Sequence, residues 1–215
     1  MVPPRPRPAR TVLDGRYTRL EPLSAAHAPA LFVASTGPGA DARFAYLFDV
    51  PPASLAEMQA WIAKMTAGDD PLFSTVIDKA SGRATGRQAL MRITPEHGVI
   101  EIGNILWGPA ISRTRIATEA LYLAARHVFE DLGYRRFEWK CNDLNAPSKA
   151  AAKRFGFAYE GLFRQHMWTK GANRDTAWFS ILDTEWPRLR AAYDRWLDPA
   201  NFDGSGKQKA KLQTL

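Results

Sequence analysis

SRTRIATEALYLAARHVFEDLGYRRFEWKCNDLNAPSKAAAKRFGF, residues Ser112 to Phe157, is the stretch on which the architecture turns. From Thr114 to Leu132 the apolar positions Ile116, Ala120, Leu123, Ala124, Val128 and Leu132 recur at helical spacing, and Gly133 supplies a stop. In YRRFEWKC, Phe137, Trp139 and Cys141 alternate with Arg136, Glu138 and Lys140, the period of a strand. Asn145 then stands as cap of a short helix that turns Ala151, Ala152 and Phe155 inward and stops at Gly156. Upstream, VIEIGNILWGP has the composition of a strand. A strand-helix-strand unit of this length is a crossover, so the strands from Val99 and from Tyr134 are predicted to lie parallel.

Outward from this unit the elements are simpler. GRYTRLEPL (Gly15 to Leu23) is a short strand, Ser24 caps a helix made irregular by Pro29, and Ser54 caps a second helix, SLAEMQAWIAKMT. LFSTVID, RQALMRITP and VIEIGNILWGP are three strands joined by polar turns, KASGRATG among them, which predicts an antiparallel meander. After the central unit, YEGLFRQHMWT and TAWFSILD form a hairpin about KGANRD, and TEWPRLRAAYDRWL is a terminal helix. The expected class is a mixed α/β domain, α+β in arrangement, over residues 13–199.

The chain has 215 residues and 46% hydrophobic content, enough for one sizeable core. Its net charge of +7 sits largely at the ends: Arg5, Arg7 and Arg10 contribute +3, and Lys207, Lys209 and Lys211 against Asp203 contribute +2. Residues 1–12 therefore read as a mobile arm rich in Pro and Arg, and 200–215 as a disordered polar tail. A body so weakly charged argues against nucleic acid as the partner. A single cysteine, Cys141, excludes an internal disulfide framework and fits a reducing compartment. With neither a secretory signal nor an apolar run near 18 residues in length, a cytoplasmic protein without membrane attachment is expected.

Two arginines separated by one threonine, Arg113 and Arg115, open the long helix. A helix start exposes unsatisfied N–H groups and partial positive charge, so extra cations there make sense when an anion is to be bound. The alternative is that both are solvated surface residues. Glu119, facing the dipole from the first turn, reads as structural.

The run IEIGNILWGP, SRTRIATEA and NAPSKAAAKRFGF resembles the acyl-CoA-binding core of the GNAT N-acetyltransferases, and more narrowly the RimJ/RimL-like branch that acetylates ribosomal-protein N-termini. GRYTRLEPL, the FAYL segment and the helix bearing Trp61 match that branch in order, so the resemblance spans most of Leu13 to Leu182. It implies a GNAT fold: a mixed, mostly antiparallel central sheet with a parallel splayed strand pair, flanked by helices. It also implies acetyl-CoA as co-substrate, no metal, and a primary amine as acceptor, on a protein N-terminus or a small molecule. The oligomeric state, monomer or homodimer, stays open.

In the family, the amides of a turn reading Gln or Arg, two residues, Gly, one residue, then Gly or Ala hold the CoA pyrophosphate. Here Ser112 replaces the first position, Arg115 replaces the Gly, and Ala117 fits. Losing that glycine removes freedom for positive φ and closest backbone approach. The amides need no particular side chain, however, and Arg113 and Arg115 can add charge-assisted hydrogen bonds. The implied cofactor-binding set is Arg113, Thr114, Arg115, Ile116, Ala117, Thr118 and Asn145, with main chain of Leu106 and Trp107 at the thioester oxygen.

Acyl transfer needs a proton acceptor for the amine, donors for the oxyanion and an acid for the departing thiolate. The tyrosine acid common in the family corresponds to Ala152 and is absent. The N-x-x-S of the terminal-amine branch is matched by Asn145 to Ser148, which implies Ser148 at the leaving sulfur. A local backbone hydrogen bond is the plainer role for Ser148. Glu101, on the strand flanking the thioester, is the candidate base through an ordered water, with a structural role equally open. Glu138 between Arg136 and Lys140 suits an ion-pair network. The four histidines lack ligand-like spacing, so no metal site is expected; Cys141 reads as a packed thiol. Phe44, Tyr46 and Phe48 border the acceptor pocket in the resemblance, as do Trp168 and Trp178, with core packing the default for each. The missing tyrosine and glycine leave a catalytically impaired CoA-binding module as one rival, and a nucleic-acid-associated protein using its basic ends as another.

Overall fold

The computed structural model describes residues 4–214. Its eight strands form one sheet in the order β1-β2-β3-β4-β5-β6-β8-β7. They are β1 (Leu13–Asp14), β2 (Thr18–Pro22), β3 (Leu72–Asp78), β4 (Arg83–Thr94), β5 (Val99–Trp107), β6 (Arg136–Asn142), β7 (Ala158–Thr169) and β8 (Ala172–Leu182). Six α-helices flank it: α1 (Ala28–Ser35), α2 (Ala40–Phe44), α3 (Leu55–Thr66), α4 (Arg115–Arg126), α5 (Ala146–Arg154) and α6 (Trp186–Leu197). All neighbouring strands run antiparallel except β5 and β6, the pair the crossover argument required. The mixed, mostly antiparallel sheet with one parallel pair is the architecture the sequence implied.

That parallel pairing is brief. Val99 to Ile102 register with Arg136 to Trp139, after which β5 follows β4 to Trp107 and β6 follows β8 to Asn142. The divergence has a local cause. Between Arg87 and Ala89 the β4–β5 register shifts, and Asn104 takes a left-handed φ of 49°. One extra residue on β5 bends that strand away from β6, as a bulge does, and opens the sheet over Gly103 to Trp107.

Helix α4 lies over the sheet with every side chain from Ala117 to Ala125 buried, and continues as one π-helical turn, His127–Asp131. Glu119 is structural, as expected. Its carboxylate accepts from the amides of Arg16 (2.8 Å), Tyr17 (2.6 Å) and Thr18 (2.7 Å), and so ties the β1–β2 turn to the helix. Gly15 belongs to that contact, because a Cβ there would stand 2.7 Å from the Glu119 carboxyl carbon.

Several expectations are corrected. Only the first half of KASGRATG, Lys79 to Gly82, is turn: β4 begins at Arg83 because backbone pairing with Ile77 and Asp78 overrides a turn-like composition. Likewise β8 starts at Ala172, and the aromatic FAYL segment is entered through the short α2. The ends are packed as well. The Arg5 amide donates to Pro95 O at 3.0 Å, and Arg10 donates to Thr66 O and Gly68 O. Beyond α6, Phe202 and Leu212 are buried, and Trp196 donates to Gln208 at 2.9 Å. Apolar anchors inside a polar segment give it a place that average composition hides. Residues 1–3 and 215 of the expected arm and tail lie outside the described residues. Among the described residues no helix is long and apolar enough to cross a membrane.

Candidate active site

Where β5 and β6 part, a cleft of about 290 Å³ opens into the sheet. Leu106 and Trp107 form one wall, and Asn145 and Ser148 at the start of α5 form the other. Glu101 and Lys140 lie deeper, and Tyr46 and Phe48 add to the lining, the Tyr46 hydroxyl donating to Leu144 O at 3.3 Å just before α5. Segments distant in sequence thus meet in one space.

At the start of α4, Thr114 is the N-cap in extended conformation, with its hydroxyl turned back to Ile111 O at 2.7 Å. The amides of Arg115, Ile116 and Ala117 fall in the first turn, where no preceding carbonyl serves them. The left-handed position of this loop is Arg113, at φ 65°, and not Arg115, which is helical. The glycine missing at position 115 therefore costs no backbone strain. Arg113 is exposed at the helix mouth. Arg115 is engaged elsewhere: its guanidinium lies 4.4 Å from the Tyr17 ring centroid and 5.4 Å from that of Phe202. Such stacking fastens the C-terminal segment to the helix start.

Thr118, buried, donates to Thr114 O and accepts from Arg154 Nη1 at 3.1 Å. Sequence reasoning missed Arg154. It stacks near Trp196 and Phe155, and burial pulls its pKa below the usual arginine value. Its signal was faint: one cation in the last turn of α5, indistinguishable from a solvated residue.

Asn145 is the cap predicted, its Oδ1 accepting from the Ser148 amide at 3.1 Å. Ser148 Oγ accepts the Trp139 indole N–H at 3.0 Å, and no bond from this hydroxyl to main chain exists among the described residues. With a lone pair taken by the indole the hydroxyl has its proton to give, and the neighbouring Cys141 sulfur is one acceptor within reach of it. Cys141 lies beside it, and burial pushes that thiol up, as suits a packed cysteine. Trp107 donates to Gln88 at 3.2 Å and meets Phe155 edge-on. From Gly103 to Trp107 the edge of β5 toward β6 has no strand partner.

At the deep end, Glu101 is 2% exposed. Both its oxygens accept from Arg92 Nη1 at 2.8 Å, and Oε2 meets Lys140 Nζ at 3.0 Å. Lys140 also pairs with Glu138 at 2.7 Å, and Arg136 joins Glu138 to Glu160. The network foreseen for Glu138 thus reaches the candidate base. Trp178 lies under Lys140, 3.8 Å from ring centroid to Nζ. Phe44 is core, whereas Tyr46 and Phe48 are partly exposed on the cleft; Trp168 is exposed and absent from its lining. The loop carrying Tyr46 and Phe48 is pinned by Arg87, which is 2% exposed, paired with Asp49 and stacked 4.2 Å from Trp61. Lys170 holds the same loop through Phe44 O and Asp49 O.

An open strand edge and Ser148 on one cleft, with the first-turn amides of α4 following Ser112 on its lining, suit a polyphosphate-bearing thioester. The comparisons agree. Residues 18–158 match the acetyltransferase (GNAT) domain family. A GCN5-related N-acetyltransferase from Brucella melitensis is similar at 59% identity and a TM-score of 0.97, over 98% of this chain and 96% of that one. A GNAT-family acetyltransferase from Chromobacterium violaceum follows at 39% identity and 0.80, over 86% and 93%. RimL, a ribosomal-protein alpha-N-acetyltransferase solved with coenzyme A, shares the fold at 20% identity and 0.67, over 80% and 98%. No curated protein matches. The chain belongs to the GNAT acetyltransferase family, whose members use acetyl-CoA.

Proposed function

We propose that this protein is an N-acetyltransferase that moves the acetyl group of acetyl-CoA directly to a primary amine. One observation carries the reading: the unpartnered edge of β5 and Ser148 line one cleft, whose lining reaches Ser112 in the turn before α4. The residues fit the co-substrate, because main-chain donors suit the pyrophosphate and the thioester oxygen without competing carboxylates. Acetyl-CoA supplies the activated acyl carbon. Amides of the Leu106–Trp107 segment hold its oxygen as negative charge develops. Ser148 gives a proton to the sulfur as the C–S bond breaks, and Glu101 receives the amine proton through water as the new N–C bond forms. Arg113 adds charge at the mouth of the phosphate cup, and Asn145 positions Ser148.

The acceptor is a protein N-terminus or a small amine. RimL, acting on a ribosomal protein, makes peptide N-termini the first class to try. Mass spectrometry after incubation with acetyl-CoA and a panel of peptides and small amines tests the proposal. An acetylated amine, with free CoA released in equal amount, is expected. CoA binding with no acetylated product across the panel would leave the impaired CoA-binding module as the better description.

A further inference from the structure

Of the four cations that line the cleft three have partners: Arg92 and Lys140 meet carboxylates and Arg43 meets carbonyl oxygens. Arg92 and Lys140 meet Glu101, Lys140 and Arg136 meet Glu138, Arg136 also meets Glu160, and Arg87 meets Asp49. Arg174 breaks the pattern. It is only 7% exposed and lines the cleft, yet no carboxylate pairs with it among the described residues. Its Nε donates to Thr176 Oγ1 at 3.2 Å, its guanidinium carbon stands 5.2 Å from the Phe48 ring centroid, and its two terminal nitrogens have no partner there. Burial pulls its pKa below the ordinary arginine value, a sign that water does not fully solvate the charge. A buried guanidinium without a counter-ion is costly unless an anion completes it. Arg43 borders the same space with Nε buried and unpartnered, while Nη1 and Nη2 are spent on Pro38 O and Thr36 O.

We infer that Arg174 is a specificity-determining residue that binds a carboxylate carried by the acceptor, so that the substrate is an acidic amine. This rests on the acetyltransfer reading above. Arg174 is placed for the acceptor rather than for CoA phosphates, because its stacking partner Phe48 comes from the α2–α3 connection and not from α4 or α5. The planar fork of free N–H groups matches a carboxylate in two-point contact. Two sources supply that chemistry: the α-carboxylate of a free amino acid, or an acidic side chain near a peptide N-terminus.

Two matched pairs separate these sources: free amino acids against their α-amides, and Ser-Glu-Ala-amide against Ser-Gln-Ala-amide. For at least one pair the wild-type protein should favour the acid by about tenfold or more in kcat/KM. In R174M that ratio should fall to about two or less, while the CoA dissociation constant stays within about twofold. No acid preference in either pair overturns the inference, as does a preference that survives R174M. Weakened CoA binding with an intact acid preference also overturns it, since the anion would then belong to CoA. If R174M does not fold, R174K decides, because it keeps the charge but loses the fork: the ratio should drop about threefold, and an unaltered ratio overturns the claim. Should no amine be acetylated, the acetyltransfer reading fails by itself. The same pairs titrated calorimetrically into CoA-saturated protein then decide the anion site: acid-selective binding lost in R174M upholds it, and equal binding of acid and amide overturns it.

Discussion

At the α4 end of the cleft the available donors are main-chain amides and the Ser148 hydroxyl; at the other end they are charges drawn from α2, β4, β6 and β8. The first end depends on where the chain turns, and Arg115, in place of the family glycine, is already helical there. The second depends on side-chain identity, since Arg92 and Lys140 are held by particular carboxylates while Arg174 has none. Backbone-built sites outlast sequence change, whereas charge-built sites are where members of one fold diverge.

The sharpest way to break this contrast is Asp49→Ala, which leaves Arg87 buried without its carboxylate. We expect a loss of about 3–5 kcal/mol in stability, read from the urea midpoint at unchanged slope. A loss under about 1 kcal/mol would show that the charged end is solvated rather than buried. Next is Ser148→Ala, expected to lower kcat about 100-fold with little change in CoA affinity. A shared loss of CoA binding would instead mark Ser148 as part of the phosphate end.

Glu101→Gln tests which end the base belongs to. About a tenfold fall in kcat, with the acidic limb of the pH–rate profile abolished, supports proton transfer through Glu101. An unchanged limb would leave it as an anchor for Arg92 and Lys140. The smallest effect concerns Glu160, whose pKa the Arg136 hydrogen bonds hold below the ordinary carboxylate value. A depressed folded pKa gives stability that is present above the usual value of about 4.5 and is lost as the pH falls through the lower folded one. Glu160→Gln should flatten that acid-side fall in thermal stability by less than about 1 kcal/mol at neutral pH.

What could be read beforehand follows the same division. The crossover, the meander and the caps at Ser54 and Asn145 are local patterns, and each appears where periodicity and capping chemistry put it. The start of α4 was legible because a helix start is a local pattern too. The acceptor end was not, because Arg43, Arg92, Lys140 and Arg174 come from four elements and only the folded sheet brings them together. Even Arg115, which looked like a phosphate ligand, stacks on Phe202, 87 positions further along the chain. The packed C-terminal segment escaped notice for a related reason: two buried apolar residues, Phe202 and Leu212, outweigh the nine polar ones of 200–215.

A crystal structure with CoA bound tests the central claim most directly. The pyrophosphate should lie within hydrogen-bonding distance of the amides of Arg115 to Ala117, with the sulfur between Trp107 and the Ser148 hydroxyl. CoA seated away from the parting of β5 and β6, or well-folded protein that takes up none, would contradict it.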